Sequence, residues 1–197
     1  VDLRAAAPGF SSRSSVSPKS IWSKIDMSKL PSSTKLDAVE EEVEKMISDS
    51  EDNKGVIFSQ FTRMLDLVMH KLRNKGVGCV KLTGDMTRVS RDSALQAFRE
   101  ECKVQVILIS LKAGGEGLNL QNANHVFIVD PWWNPAAEMQ AIDRTHRIGQ
   151  TRSLKAIRFI TEGTVEERIL ELQAKKQLVS SATVDGQEQA MAQLNSE

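Results

Sequence analysis

The chain is short of cysteine and has no surplus of charge, and each shortage narrows what it can be. Its 197 residues hold two cysteines, Cys79 and Cys102, which lie far apart and without metal-ligand spacing. They read as small buried or half-exposed thiols in a reducing compartment. The 26 basic and 26 acidic residues cancel. Net charge therefore gives no argument for nucleic acid, and any such argument rests on local placement. No apolar run approaches a membrane span, and the N-terminus has neither the charged nor the apolar region of a signal peptide. A soluble protein with no membrane partner is expected. There is no internal repeat, no Gly-Lys-Ser/Thr P-loop signature and no D-E-x-H box. His70, His125 and His146 share no metal spacing and have no evident nucleophile partner, so no metal site is assigned.

What is present is an alternation. Residues 1–20 are rich in Ser, Ala and Pro without apolar period and read as a disordered or linker segment. Residues 21–53 read as a lead-in and first helix, with Ser33 or Thr34 as cap and Leu36, Val39, Val43, Met46 and Ile47 on its buried face. Over residues 54–162 the apolar runs "GVIFS", "GCVKL", "VQVILIS", "HVFIVD" and "KAIRFI" alternate with amphipathic stretches. Runs so continuous and rich in Val and Ile suit strands buried on both faces of a parallel sheet. Helices are expected from about Thr62 to Asn74, from about Thr87 to Glu100, and from the Asn134 cap with Pro135 behind it to just before Gly149. Residues 163–185 form a C-terminal packing helix, opened by a capping box from Thr164 to Glu167 and burying Val165, Ile169, Leu172 and Val179. Residues 186–197 are a tail. The fold class is α/β, a mostly parallel sheet with helices on both faces.

Ligands in such sheets gather at the carboxyl ends of the strands. After "VIFS" come Ser59, Gln60 and Thr62 at a helix N-terminus; two readings stand, a phosphate site and a plain cap. After "VKL", Arg88 and Arg91 either meet a nucleic-acid backbone or are solvated helix charges. In "SLKAGGEGLNL" the glycines either let the backbone come close to a ligand, with Ser110 and Lys112 adding a hydroxyl and a cation, or form a plain structural turn. It is not a dinucleotide fingerprint, because Gly115 and Gly117 are followed by Leu at position 120. In "DPWWNPAAEMQ", Trp132 is expected in the core, whereas Trp133 can press on a nucleic-acid strand. "QAIDRTHRIGQ" places Arg144 and Arg147 three apart, on one face of the expected helix beside Gln140 and Asp143, which asks for an anion.

The order of these segments resembles the second, RecA-like motor lobe of superfamily-two helicase-like ATPases, in the Swi/Snf-type branch of DNA translocases. "VIFSQFTRMLDLV" looks like motif IV, and "LISLKAGGEGLNLQNANHVFIVDPWWNPAAEMQAIDRTHRIGQ" looks like motifs V and VI with the stretch between them. The likeness covers about residues 19–185, and "KSIWSKIDMSKLPSSTKLDAVEEEV" is similar to the RING-finger-containing, repair-type members, although no RING Cys/His pattern occurs here. The resemblance implies that ATP and Mg²⁺ are held mainly by a first lobe of the same parent chain. It implies that Arg144 and Arg147 are arginine fingers oriented by Asp143 and Gln140. Gly115, Glu116 and Gly117 would lie near the nucleotide, and Ser59, Gln60, Ser110, Lys112 and Ala113 along DNA phosphates. Trp133 would face DNA. The implied partner is double-stranded DNA or a nucleosome, and the implied location nuclear. Without P-loop and acidic box the isolated chain is expected to be inactive. Two other functions compete: a non-catalytic DNA- or partner-binding fragment, and an unrelated nucleotide-binding α/β enzyme.

Overall fold

The computed structural model describes residues 33–111, 113, 118–146, 150 and 152–185. The expectations for residues 1–32 and 186–197 lie outside them.

In chain order the elements are α1 (Thr34–Asp49), β1 (Gly55–Ser59), α2 (Thr62–Asn74), β2 (Gly78–Leu82), α3 (Arg88–Glu100), β3 (Val104–Ser110), β4 (His125–Ile128), α4 (Pro135–Asp143), β5 (Lys155–Arg158) and α5 (Val165–Asp185). The five apolar runs thus become the five strands of one sheet, ordered β2-β3-β1-β4-β5, with every pairing parallel. All strands therefore end at one edge, and Ser59 closes β1 directly opposite Ser110 of β3. Between β3 and β4 the chain crosses to the other side of β1. The glycine-rich loop leaves from that reversal, where an open α/β sheet leaves a crevice.

The period-two alternation of the strands divides the core. Ile57 faces Val39, Val43 and Met46 of α1 and Leu65, Val68 and Leu72 of α2. Val56 and Phe58 face the other way, toward Phe98 of α3 and Ala141 of α4. The helices start as their caps dictate. Ser33 accepts the Leu36 N–H at 3.3 Å, Thr87 that of Ser90 at 3.3 Å, and Asn134 that of Ala136 at 3.2 Å.

Gly78 marks a close approach of two strands. A Cβ there would stand 1.8 Å from the Lys103 carbonyl oxygen, a backbone atom that cannot swing away. Gly78→Ala should therefore cost about 1–3 kcal/mol, the range for overpacking, read as a lower urea midpoint at unchanged slope. An unchanged midpoint would show that β2 slides freely on β3.

Four expectations need correction. "GCVKL" and "KAIRFI" are not strands buried on both faces: β2 and β5 are the two edges of the sheet, each paired with one neighbour, so β2 is largely half-buried and β5 mostly exposed. α4 ends at Asp143 instead of running to Gly149, with Arg144 as its C-cap. The described helix thus ends before Arg144, and Arg147 lies outside the described residues. On α5, Val165, Leu172 and Val179 are 67%, 52% and 46% exposed, whereas Gln173 is buried and Ile169 half-buried. Polar contacts fix that rotation: Glu166 pairs with Lys35 of α1, and Gln173 donates to Glu138 at 2.8 Å. At the start of α5 the reach-back bond runs from the Thr161 N–H to Glu166 at 2.8 Å, not to Glu167.

Candidate functional site: the carboxyl edge and the arginine segment

The carboxyl ends of β1 and β4 are joined by a buried polar pair. Ser59 is fully buried; its hydroxyl donates to Asp130 and accepts the Phe61 N–H at 3.0 Å. Burial pushes the Asp130 carboxyl above the usual carboxylate range, against the hydroxyl that donates to it. The Ser59 side chain is thus committed inward. Of this segment, Gln60 is half-buried and Phe61 is 56% exposed. On β3, Ser110 is buried and accepts the Ala113 N–H at 3.3 Å, and Ala113 is buried too. Arg91 donates to the Ala113 carbonyl at 3.3 Å. It braces the glycine-rich loop from α3, a role that neither reading of Arg91 foresaw.

The tryptophans divide as follows. Trp132, expected in the core, is half-buried, and Trp133 is 55% exposed. The Lys176 ammonium of α5 lies 4.1 Å from the centroid of the Trp133 ring. Glu138, on α4, is fully buried and accepts the Trp132 N–H at 2.5 Å. Its other oxygen lies 2.5 Å from the Arg158 guanidinium. Glu138, Asp130, Gln173 and Lys176 all escaped sequence reasoning. Glu138 reads as a helpful acid in the first turn of a helix, and nothing local marks it as buried.

One face of α4 stays open. Asn134, Ala136, Ala137, Met139, Gln140 and Asp143 line a shallow depression along it, and Met139, Gln140 and Asp143 are exposed. Arg144 follows directly, half-buried, outside the wall of that depression. Its carbonyl accepts the Leu120 N–H at 3.3 Å. A few residues on, Gln150 donates to the carbonyls of Gln121 and Ala123 at 2.9 and 2.7 Å. The arginine segment is thus stapled at both ends to residues 118–123, the continuation of the glycine-rich loop. Arg147, Lys112, Gly115, Glu116 and Gly117 lie outside the described residues.

Among the described residues no group of three or more His, Cys, Asp or Glu side chains is placed to hold a metal ion, and no helix is long and apolar enough to cross a membrane. Cys79 is buried, which pushes its thiol up to about 11, and Cys102 is exposed.

Comparison with known proteins agrees with this architecture. Residues 34–149 match the helicase conserved C-terminal domain. The ATP-dependent helicase rhp16 of Schizosaccharomyces pombe is 44% identical over 197 residues, all of this chain and 23% of that protein. The DNA repair protein RAD5A of Arabidopsis thaliana is 44% identical over 162 residues, 82% of this chain and 16% of that protein. Among solved structures, the C-terminal part of the Fun30 ATPase domain superposes with a TM-score of 0.68 at 35% identity, covering 72% of this chain and 45% of that one. Fold and match together define the class, a RecA-like second lobe of a helicase. The chain belongs to the helicase conserved C-terminal domain family, in its Swi/Snf-type branch, with rhp16- and RAD5-type proteins as relatives. It spans less than a quarter of the length of those two relatives.

Proposed function

We propose that the chain is the second motor lobe of an ATP-dependent double-stranded-DNA translocase, acting in the nucleus on chromatin or damaged DNA. The observation that carries this reading is the stapling of the arginine segment to the exit of the glycine-rich loop, beside an open face of α4. A motor lobe needs that arrangement, because a change at the nucleotide must reach the strand ends that touch DNA. In this reading the open face of α4, with Gln140 and Asp143, meets the first lobe across the ATP cleft. Arg144 and Arg147 act on the γ-phosphate, and the Gly115–Gly117 backbone lies near the nucleotide. Gln60, Lys112 and Trp133 track a DNA strand. Ser59, Ser110 and Ala113, all buried, shape the strand ends from within.

The first lobe would hold ATP and Mg²⁺, and this chain adds charge and positioning. A planar, permanently charged donor fork suits the charge that spreads over the γ-phosphoryl oxygens as the bond to the leaving phosphate loosens.

The chain by itself should hydrolyse no ATP and should bind duplex DNA weakly, without sequence preference. Phosphate contacts position and do not specify. With few cations engaged, the slope of log affinity against log salt should be shallow. Joined to a first lobe that carries the P-loop, the same chain should support ATP hydrolysis that duplex DNA stimulates. Hydrolysis indifferent to DNA in that joined protein, or salt-insensitive and sequence-selective binding by the chain alone, would overturn the reading.

A further inference from the structure

We propose that α5 positions the exposed tryptophan: Gln173 and Lys176, one helical turn apart, hold the Trp132–Trp133 pair in the orientation in which Trp133 meets DNA. The proposal rests on the DNA-facing reading of Trp133 given above.

Gln173 is 3% exposed on a helix whose large apolar side chains Val165, Leu172, Leu178 and Val179 are all exposed. Burying an amide while leaving valine and leucine in water is the reverse of what a helix docked by its apolar stripe does. Hydrogen bonding supplies the reason. The Gln173 amide donates to the Trp132 carbonyl and, at 2.8 Å, to Glu138. The same Glu138 oxygen accepts the Trp132 N–H at 2.5 Å. Both backbone polar groups of Trp132 are therefore held, and the direction in which the chain leaves toward Trp133 is fixed.

Lys176 then acts on Trp133 itself. Its ammonium sits 4.1 Å from the ring centroid and 3.5 Å from the Trp133 carbonyl oxygen. A cation at that distance is attracted to an indole face. One face of the ring is thereby occupied, and the residue as a whole is still 55% exposed. The ammonium also puts a positive charge next to the indole, which suits a phosphodiester strand. Gln173 and Lys176 are positioning residues in this account; Trp133 makes the contact.

The test uses a full-length parent that carries both lobes. Its readouts are the DNA concentration that half-maximally stimulates ATP hydrolysis, and the melting temperature. Gln173→Leu and Lys176→Met should each raise that concentration roughly threefold to tenfold, the scale of a partly exposed cation–π contact. Lys176→Arg, which keeps a cation over the ring, should restore it to within about twofold of wild type. Trp133→Ala should raise it at least as much. If Gln173→Leu fails to fold, Lys176→Met at an exposed position still decides. Trp133→Ala impaired, with Lys176→Met at the wild-type value, overturns the positioning role and leaves the DNA reading intact. Trp133→Ala at the wild-type value overturns the DNA reading itself, and the positioning role with it. A lower melting temperature with unchanged DNA dependence also overturns the proposal, leaving Gln173 and Lys176 as docking contacts of α5.

Discussion

Arg144→Ala, in a parent protein that carries both lobes, should cut DNA-stimulated ATP hydrolysis by roughly 10³- to 10⁵-fold while nucleotide affinity stays within a few-fold of wild type. Arg147→Ala should behave alike. The asymmetry follows from where each part acts. A P-loop lobe grips ATP in its ground state, whereas the arginines meet charge that appears as the γ-phosphoryl group is transferred. An interaction made mainly in the transition state lowers kcat and leaves binding almost untouched. Lysine should rescue poorly, because an ammonium does not reproduce a planar two-pronged donor. The local structure gives Arg144 the fixed mount that such a role requires. Its backbone caps α4 through the bond of its N–H to Gln140, and its carbonyl holds Leu120. The measurement is steady-state hydrolysis with saturating duplex DNA beside equilibrium binding of a nucleotide. A protein lacking both arginines that still hydrolyses ATP at near wild-type rate would sink the assignment. Equal loss of binding and turnover would make them ground-state ligands instead.

The legibility of this chain follows the range of the interactions involved. The central strands β1, β3 and β4 can be read from runs of Val and Ile, because a central parallel strand buries both faces and its sequence has little freedom; the edge strands β2 and β5 are located by their apolar runs, but their exposed faces are not. The starts of α1, α3 and α4 are legible in Ser33, Thr87 and Asn134, because a cap bonds an N–H two or three residues away. The end of α4 is not. Its last turn gives way at Arg144, whose carbonyl bonds Leu120, more than twenty residues back in the chain. The rotation of α5 is equally hidden. Apolar spacing puts Val165, Leu172 and Val179 inward; the partners that turn them outward are Lys35, Glu138 and Trp132. Glu138 and Asp130 were missed for the same reason. An acidic residue reads as solvated unless its partners are known, and here these are donors from β1, α5 and the loop before α4 and an ion-pair partner from β5.

Glu138→Ala should be the most damaging single change to the stability of this lobe outside its apolar core. The carboxylate is 1% exposed; one oxygen accepts the Trp132 N–H at 2.5 Å and the Gln173 amide at 2.8 Å, and the other forms an ion pair with the Arg158 guanidinium at 2.5 Å without a hydrogen bond. Removing it strands the first two where water cannot readily replace the oxygen, and each buried donor left unmade costs about 1–3 kcal/mol. Arg158 is different. Its side chain is 37% exposed, so it can turn to solvent, and the loss falls short of that for a pair buried at both ends. The Gln173 amide keeps its bond to the Trp132 carbonyl, so the sum stays at the lower end, about 2–4 kcal/mol, a fall of roughly 5–15 °C in melting temperature for a chain of this size. Glu138→Gln keeps an acceptor for the tryptophan loop but sets an amide against the guanidinium, and should fall between. Arg158→Ala combined with Glu138→Ala should cost less than the two separately, since their shared contact can be lost only once. Thermal unfolding of the four proteins in parallel measures this. A melting temperature for Glu138→Ala within about 2 °C of wild type would mean that water reaches the site. α4, with Gln140, Asp143 and Arg144 at its far end, would then be held to the tryptophan loop by backbone continuity alone.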